Sequence, residues 1–441
     1  MRDIFVTLVV IGFIPIILRR PWIGILVWSW LGYMNPHRLA WGFATTMPFA
    51  LMVALATLVA MMMSKEPKRI PWTRETILLL IMIIWMFFTT TLALVPDPAW
   101  EQWSKVWRVM LMTYITMMLI NNEYRIKVLV FVIALSLGFY GFKGGLFTLT
   151  GGSAHSVMGP AKSFIGDRNS IGLALIMTVP LLYFTALQMK SIYLRYAIYG
   201  GIALTLAAIV GTHSRGALVG ILAMSSFFLV KSRAKFSALL LIASMGILMY
   251  SVMPSHWFDR MATIETWRDD GSASERVRAW GNAIDLANER IVGGGMRALV
   301  FWGGRDAHSI YFGILGEHGW IGLVMFLLLI LFTWMSCAWI VKNTRERGDL
   351  RWARDLGSMI QVSLIGYMSA GAFLALQYFD LFYHLVAIVV VTRVYIENQL
   401  AEESGVFGTR KYSNDKGNRG PPNLPPRPNK HPETVTAREQ R

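Results

Sequence analysis

The sequence predicts an all-α, polytopic integral membrane protein, and three observations carry that prediction. The 441 residues are 55% hydrophobic and only 15% charged, where a soluble domain carries about 25% charged residues. The mean hydropathy is +0.47. The apolar residues come in long runs broken by short charged stretches, which is how consecutive helical spans read. A net charge of +16 would suggest nucleic acid in a soluble protein. Here Lys and Arg gather in short loops between apolar runs and in the tail, so topology accounts for most of it, and no nucleic-acid partner is expected. The single cysteine, Cys337, lies inside an apolar run, so no intramolecular disulfide can form and the compartment cannot be read from it. The run after Met1-Arg2-Asp3 ends without a small-residue cleavage site and reads as a retained span.

Two short apolar runs come first, 4–18 and 22–33, split by Arg19-Arg20-Pro21. A full span needs about 20 residues, so these are either thin or tilted spans or a hairpin that does not cross. Clearer spans follow at 43–63, 75–94, 104–120, 126–147, 169–187, 193–211, 216–230 and 236–252. After a long polar segment come 308–341, with a break at Gly319, then 359–378 and 381–396. The total is about 12 spans.

Basic clusters at 65–69, at Arg125 and Lys127, at Lys190 and Arg195, at 231–235 and at 342–354 fall on one side. The positive-inside rule makes that side cytoplasmic. The alternation holds from residue 64 onward and strains at the first pair. The opposite loops, including 151–168, 212–215 and 254–307, are then external. The chain divides into an N-terminal bundle (1–253), a periplasmic loop (254–307), C-terminal helices (308–398) and a tail (399–441). The tail is rich in Pro, Gly and charge and is expected to be disordered and cytoplasmic. There is no internal repeat.

The chemistry-bearing residues all lie on the external side. Asp167-Arg168-Asn169 opens a span. Asp167 or Asn169 can cap it while Arg168 snorkels, or Arg168 and the helix-start N–H groups can hold a phosphate. Ser214-Arg215-Gly216 is a tight turn whose small residues leave room for a ligand beside Arg215. In the long loop, Ser272-Ala273-Ser274-Glu275 has capping-box spacing. Val277, Trp280, Ile284, Ala287 and Ile291 follow at helical steps, which predicts an amphipathic helix. The loop holds seven arginines and no lysine, and planar guanidinium forks suit phosphate oxygens. Most can pair with the loop's own acids; Arg276 and Arg278, near the helix start, are the candidates for a ligand.

Asp306-Ala307-His308-Ser309-Ile310-Tyr311 closes the loop and opens an apolar helix. An imidazole titrates near ~6.5, so His308 at that junction can exchange protons with a polar substrate, with Asp306 close enough to orient its ring. Glu317 lies nine residues on, about 180° round an ideal helix, and reads as a group satisfying backbone at the Gly319 break. No metal-ligand constellation, ATP loop or nucleophile elbow is present.

These motifs in this order resemble the O-antigen ligase and polymerase superfamily. The pattern is Asp167-Arg168-Asn169, Ser214-Arg215-Gly216, Arg276-x-x-x-Trp280, Gly293-Gly294-Gly295, His308-Ser309-Ile310-Tyr311 and Glu317-His318-Gly319, over residues 159–341. The front of the chain, including 28–36, is similar to the exosortase-associated O-glycosylation ligase branch. Ser309 stands where the pattern more often has Asn.

The resemblance implies a glycosyltransferase in the bacterial inner membrane with its active site on the periplasmic side. It implies an undecaprenyl-diphosphate-linked glycan as donor, lipid A–core or another glycan as acceptor, membrane lipid as a partner, and no metal or other cofactor. His308 would be the general base. Arg168, Arg215, Arg276 and Arg278 would hold the diphosphate in one cavity, supported by Asp306, Asn169, Tyr311 and Glu317. A polymerase and a protein O-oligosaccharyltransferase share this chemistry. A transporter or flippase of a charged lipid is the alternative of another class. It calls for ionisable groups near mid-membrane and inverted repeats. The sequence has few of the former and none of the latter.

Overall fold

The computed structural model describes residues 1–151, 154–231, 246, 250, 271–302 and 304–403, which are helical with no strand among them. Helices α1 (Arg2–Arg19), α2 (Pro21–Met34), α3 (Phe49–Met63), α4 (Arg74–Thr91), α5 (Pro96–Leu119), α6 (Glu123–Leu149), α7 (Arg168–Gln188), α8 (Ile192–Gly211) and α9 (Arg215–Lys231) come first. After the undescribed stretch come α10 (Gly271–Glu289), α11 (Ala298–Trp302), α12 (Ile310–Asn343), α13 (Arg351–Gly371) and α14 (Asp380–Glu403). The span expected at 236–252 and the beginning of the long loop lie outside the described residues. Residues 1–398 form one compact unit; 399–441 form another, described only through residue 403, inside α14.

Among the described residues five helices are long and apolar enough to cross a membrane: α4, α6, α7, α8 and α12. Helix α3 and residues 215–229 of α9 are apolar but shorter. The other expected spans that fall on described residues are helices as well, but length and hydropathy alone place five helices in the crossing class, so the count of about 12 is not reached by that measure. The first two are 18 and 14 residues long, and α5 carries Asp97, Glu101, Lys105 and Arg108 in its first half.

The basic stretches near 65–69, 125–127 and 342–354 gather at one end of the bundle. Arg125 pairs with Glu66 at 2.8 Å, and its guanidinium lies 5.3 Å from the centre of the Trp22 ring. Lys127 sits over Trp352 at 5.2 Å. Arg74 and Arg393 both reach the Ser336 hydroxyl. Trp22 brings the Arg19-Arg20 turn to this same end, so the alternation runs through the first helix pair too.

At 34 residues, α12 would be about 51 Å long if straight, well beyond a hydrocarbon core of about 30 Å. It is not straight. Gly319 has φ 69° and ψ −173°, splitting α12 into a short first arm and a long second one.

Helix α10 exists as expected, but its buried face is turned. Ala279, Ala283, Leu286 and Ala287 are buried, whereas Val277 and Ile291 are exposed. At 100° per residue this is a rotation of roughly 90° from the predicted stripe. The small alanines let α10 come close to the first arm of α12, and two of the bulkier apolar residues are left outside.

Candidate functional site

The motif-bearing segments meet at the end of the bundle opposite the basic loops. Trp280 is the hub. Its Nε1–H donates to the Ala307 carbonyl at 2.9 Å. Its ring stacks on Phe312 with centroids 4.9 Å apart and planes at 13°, and Phe373 lies 6.4 Å away. Phe373 packs on the start of α9: a Cβ on Gly216 would lie 3.3 Å from the Phe373 Cβ. The α9 start in turn abuts α7, where a Cβ on Gly172 would lie 3.0 Å from Ala217 and 3.3 Å from the Thr212 hydroxyl. Tyr311 donates to the Met368 carbonyl at 3.0 Å, which ties the 308–312 junction to α13. The N-termini of α7 and α9, the C-terminal turn of α13, the middle of α10 and the His308 junction are thus neighbours.

Asp167 caps α7. Its carboxylate accepts from the N–H groups of Asn169 at 2.8 Å and Ser170 at 3.1 Å, and from the Ser170 hydroxyl. Two of the helix-start donors are therefore occupied, and Arg168 beside them is half-buried. Arg215 is the first residue of α9 and half-buried, as is Arg276 on α10. Arg278 is exposed. With 100° between successive residues, Arg276 stands about 40° from Trp280 and Arg278 about 160°, so only Arg276 shares the side of α10 that Trp280 fixes to the bundle.

His308 is exposed and has φ 45°. Asp306 accepts from the backbone N–H of His308, at 3.4 Å, so this contact shapes the turn and not the ring, contrary to the expectation from spacing. Left-handed backbone is costly for a residue with a side chain and tends to collect at functional sites. Among the described residues the non-glycine positions with positive φ are Asn35, Lys162, His213, Arg297 and His308. Chain connectivity puts all five at this end.

The first arm of α12 is locked from below. A helix break leaves carbonyls without intrahelical partners. Gly294 donates to the Gly316 carbonyl at 2.8 Å and Gly295 to that of Glu317 at 2.9 Å. A Cβ on Gly319 would sit 2.0 Å from the Ile291 carbonyl oxygen, so the Gly-rich turn and Gly319 fit only because both lack side chains. The Glu317 carboxylate accepts from the Arg297 N–H at 2.6 Å, from Gln377 Nε2 at 3.2 Å and from the Tyr378 hydroxyl. His318 is 1% exposed, with Nδ1 2.6 Å from the Thr89 hydroxyl and Nε2 2.6 Å from that of Tyr378. Since Tyr378 donates to Glu317, the imidazole proton belongs on Nε2, and the Thr89 hydroxyl, which also lies 3.1 Å from the Met86 carbonyl, shares its proton between that oxygen and Nδ1. Arg297, Thr89, Gln377 and Tyr378 went unread in the sequence. A Thr89-Thr90-Thr91 run ending an apolar helix, and Gln377-Tyr378 between two others, were the available signals. Among the described residues no group of three His, Cys, Asp or Glu is placed to hold a metal ion.

Residues 200–327 match the family described as O-Antigen ligase. That segment supports membership of the O-antigen ligase/polymerase superfamily. The match contains Arg215, Arg276, Arg278, Asp306, His308, Tyr311 and Glu317. Residues 1–190, which include Arg168 and Asn169, match a family of unknown function, DUF5935. Comparison with curated proteins returned no match. The superfamily supports a membrane glycan-transferring enzyme of the ligase or polymerase type, with a lipid-linked glycan donor and a glycan acceptor.

Proposed function

We propose that this protein transfers an undecaprenyl-diphosphate-linked polysaccharide to an acceptor hydroxyl, with lipid A–core as the acceptor, at the periplasmic face of the inner membrane. The observation that carries the reading is the meeting of the α7, α9 and α10 arginine-bearing segments with the exposed His308 junction through Trp280. An acceptor hydroxyl is a poor nucleophile at neutral pH, whereas diphosphate is a good leaving group. The reaction needs a base on the acceptor side and positive charge on the leaving side. His308 takes the hydroxyl proton as the oxygen attacks the anomeric carbon and the bond to the diphosphate breaks. Direct attack inverts the anomeric centre in one step. Arg168, Arg215 and Arg276 stabilise the charge that develops on the leaving diphosphate. Arg278, on the far side of α10 from Trp280, has the smallest share. Asn169 and Tyr311 hold the helix start and the junction in place, and Glu317 holds the Gly-rich turn that supports it.

The test is transfer by purified full-length protein in detergent, given lipid-diphosphate glycan and lipid A–core. Covalent product excludes a pure transporter. Lengthening of the donor glycan without lipid A–core consumption would favour a polymerase. The sidedness is read by labelling cysteines introduced at Gly271 and Gly348 in a Cys337-free background, from outside intact spheroplasts. Labelling at 271 alone is expected; labelling at 348 alone would invert the topology.

A further inference from the structure

A cavity lies at the same end of the bundle, between α1, the turn after α2 and α6. Its volume is about 610 Å³. Helix α1 contributes Arg2 and Phe5, the turn after α2 contributes Arg38 and Trp41, and α6 contributes Phe139 and Lys143. Three cations line it and no carboxylate does. Among the described residues no ion pair engages any of the three cations, and Arg38 donates to the Thr45 carbonyl at 3.1 Å. The neighbouring acid, Asp3, accepts from the N–H groups of Gly42 at 2.9 Å and Ala44 at 3.1 Å, which fastens the turn against α1 as one wall of the cavity. Burial and the adjacent Arg38 push His37 down to about 4, so it adds no charge at neutral pH.

The position of Lys143 is informative. Helix α6 is one of the five able to cross a membrane. Gly141 and Gly145 press it against α8, where added Cβ atoms would lie 2.2 Å from the Thr205 hydroxyl and 2.1 Å from the Leu204 carbonyl. Lys143 is about 160° from each of them around the helix, so it stands on the face turned away from α8, and it is exposed there. An ammonium on the outer face of a span is costly unless it reaches the interface or meets an anion. Beside it are exposed Phe5, 67% accessible, and Trp41, 88% accessible. Trp is favoured where acyl chains meet headgroups. The volume falls in the range of small-ligand sites.

We propose that this cavity binds a phosphate-bearing membrane lipid, its phosphate held by Arg2, Arg38 and Lys143 and its acyl chains lying along Phe5 and Phe139. Two guanidinium forks and one ammonium suit phosphate oxygens, and the aromatic walls suit the chains. The site lies within the segment that matches the family of unknown function. It does not rest on the transfer reading.

Native mass spectrometry of the full-length protein tests it, with phosphatidylglycerol, diacylglycerol or inorganic phosphate added. Phosphatidylglycerol should be retained and diacylglycerol should not. Lys143→Gln and Arg2→Gln should each weaken retention about tenfold, the loss of one charge-assisted contact, while Lys190→Gln at the other end should leave it unchanged. Retention unaltered in both cavity variants would show that the cations only snorkel and would overturn the proposal. So would equal weakening by Lys190→Gln, equal retention of diacylglycerol, or displacement of the lipid by an equal concentration of inorganic phosphate, which would assign a free anion. A second measurement needs no charge variant. Brominated phosphatidylglycerol should quench Trp41 fluorescence, taken as wild type minus Trp41→Phe; an unchanged difference signal would also overturn the proposal.

Discussion

His308 and His318 stand at opposite ends of one short helical arm, and they are in different physical situations. His318 is buried, with both ring nitrogens committed, one to Thr89 and one to Tyr378. Its carbonyl also accepts from Trp85 Nε1 at 2.9 Å. Such a side chain holds three elements together and has no nitrogen left for a substrate. His308 is exposed in a left-handed turn at the mouth of the arm. A residue identity says little about role; the disposition of its lone pairs and its access to solvent say more.

The comparison breaks most sharply if the roles are exchanged. His308→Ala should lower transfer about 10²–10⁴-fold, the usual range for a general base, with donor binding kept and the unfolding midpoint unchanged, as for a surface substitution. Turnover near wild type in that variant would remove His308 from the mechanism. His318→Ala should act on the fold instead. It opens a cavity and removes one hydrogen bond each from Thr89 and Tyr378, which costs about 3 kcal/mol, read by denaturant unfolding in detergent. The fraction that remains folded should transfer glycan within a few-fold of wild type. Lost turnover with unchanged stability would mean that the buried histidine is the chemical one.

Gly319→Ala sharpens the same contrast, because it attacks the hinge between the arm and the long helix. The new Cβ meets the Ile291 carbonyl in a backbone with positive φ, and a loss of about 2–4 kcal/mol is expected. Smaller effects separate the two arginines of α10. Arg276→Ala should weaken donor binding about tenfold, the size of one charge-assisted contact, measured by titration with lipid-diphosphate glycan. Arg278→Ala should change it less than about twofold. Equal losses would show that α10 turns when donor binds. Smallest is Asp306→Asn. Its contact is a long bond to the His308 backbone, so stability should fall by at most about 1 kcal/mol and the pH profile of transfer should keep its shape. A displaced pH profile would return Asp306 to the ring.

Local pattern was enough for the order of elements. Apolar runs bounded by charge marked the helices, because each helix must satisfy its own backbone in lipid. Gly319 announced a break within a run too long for one straight span. The basic loops marked one end of the bundle, and the order of the Arg, Trp, Gly and His motifs marked the segments of the candidate site. These signals reside in neighbouring residues, so they survive without a fold.

Tertiary packing decided the rest. Which side of α10 is buried depended on how closely its alanines could approach α12, and a hydrophobic stripe cannot report that. Asp306 was assigned to the ring of His308 by proximity in sequence, and the turn geometry directs it to the backbone. Partners drawn from far along the chain, such as Arg297 for Glu317 and Thr89 with Tyr378 for His318, depend on the meeting of separate elements. The cavity between α1, the 36–45 turn and α6 joins Arg2 to Lys143 across 141 positions of sequence. No local pattern encodes such a pairing, because the distance between two side chains on different helices is set by packing and not by the residues beside them.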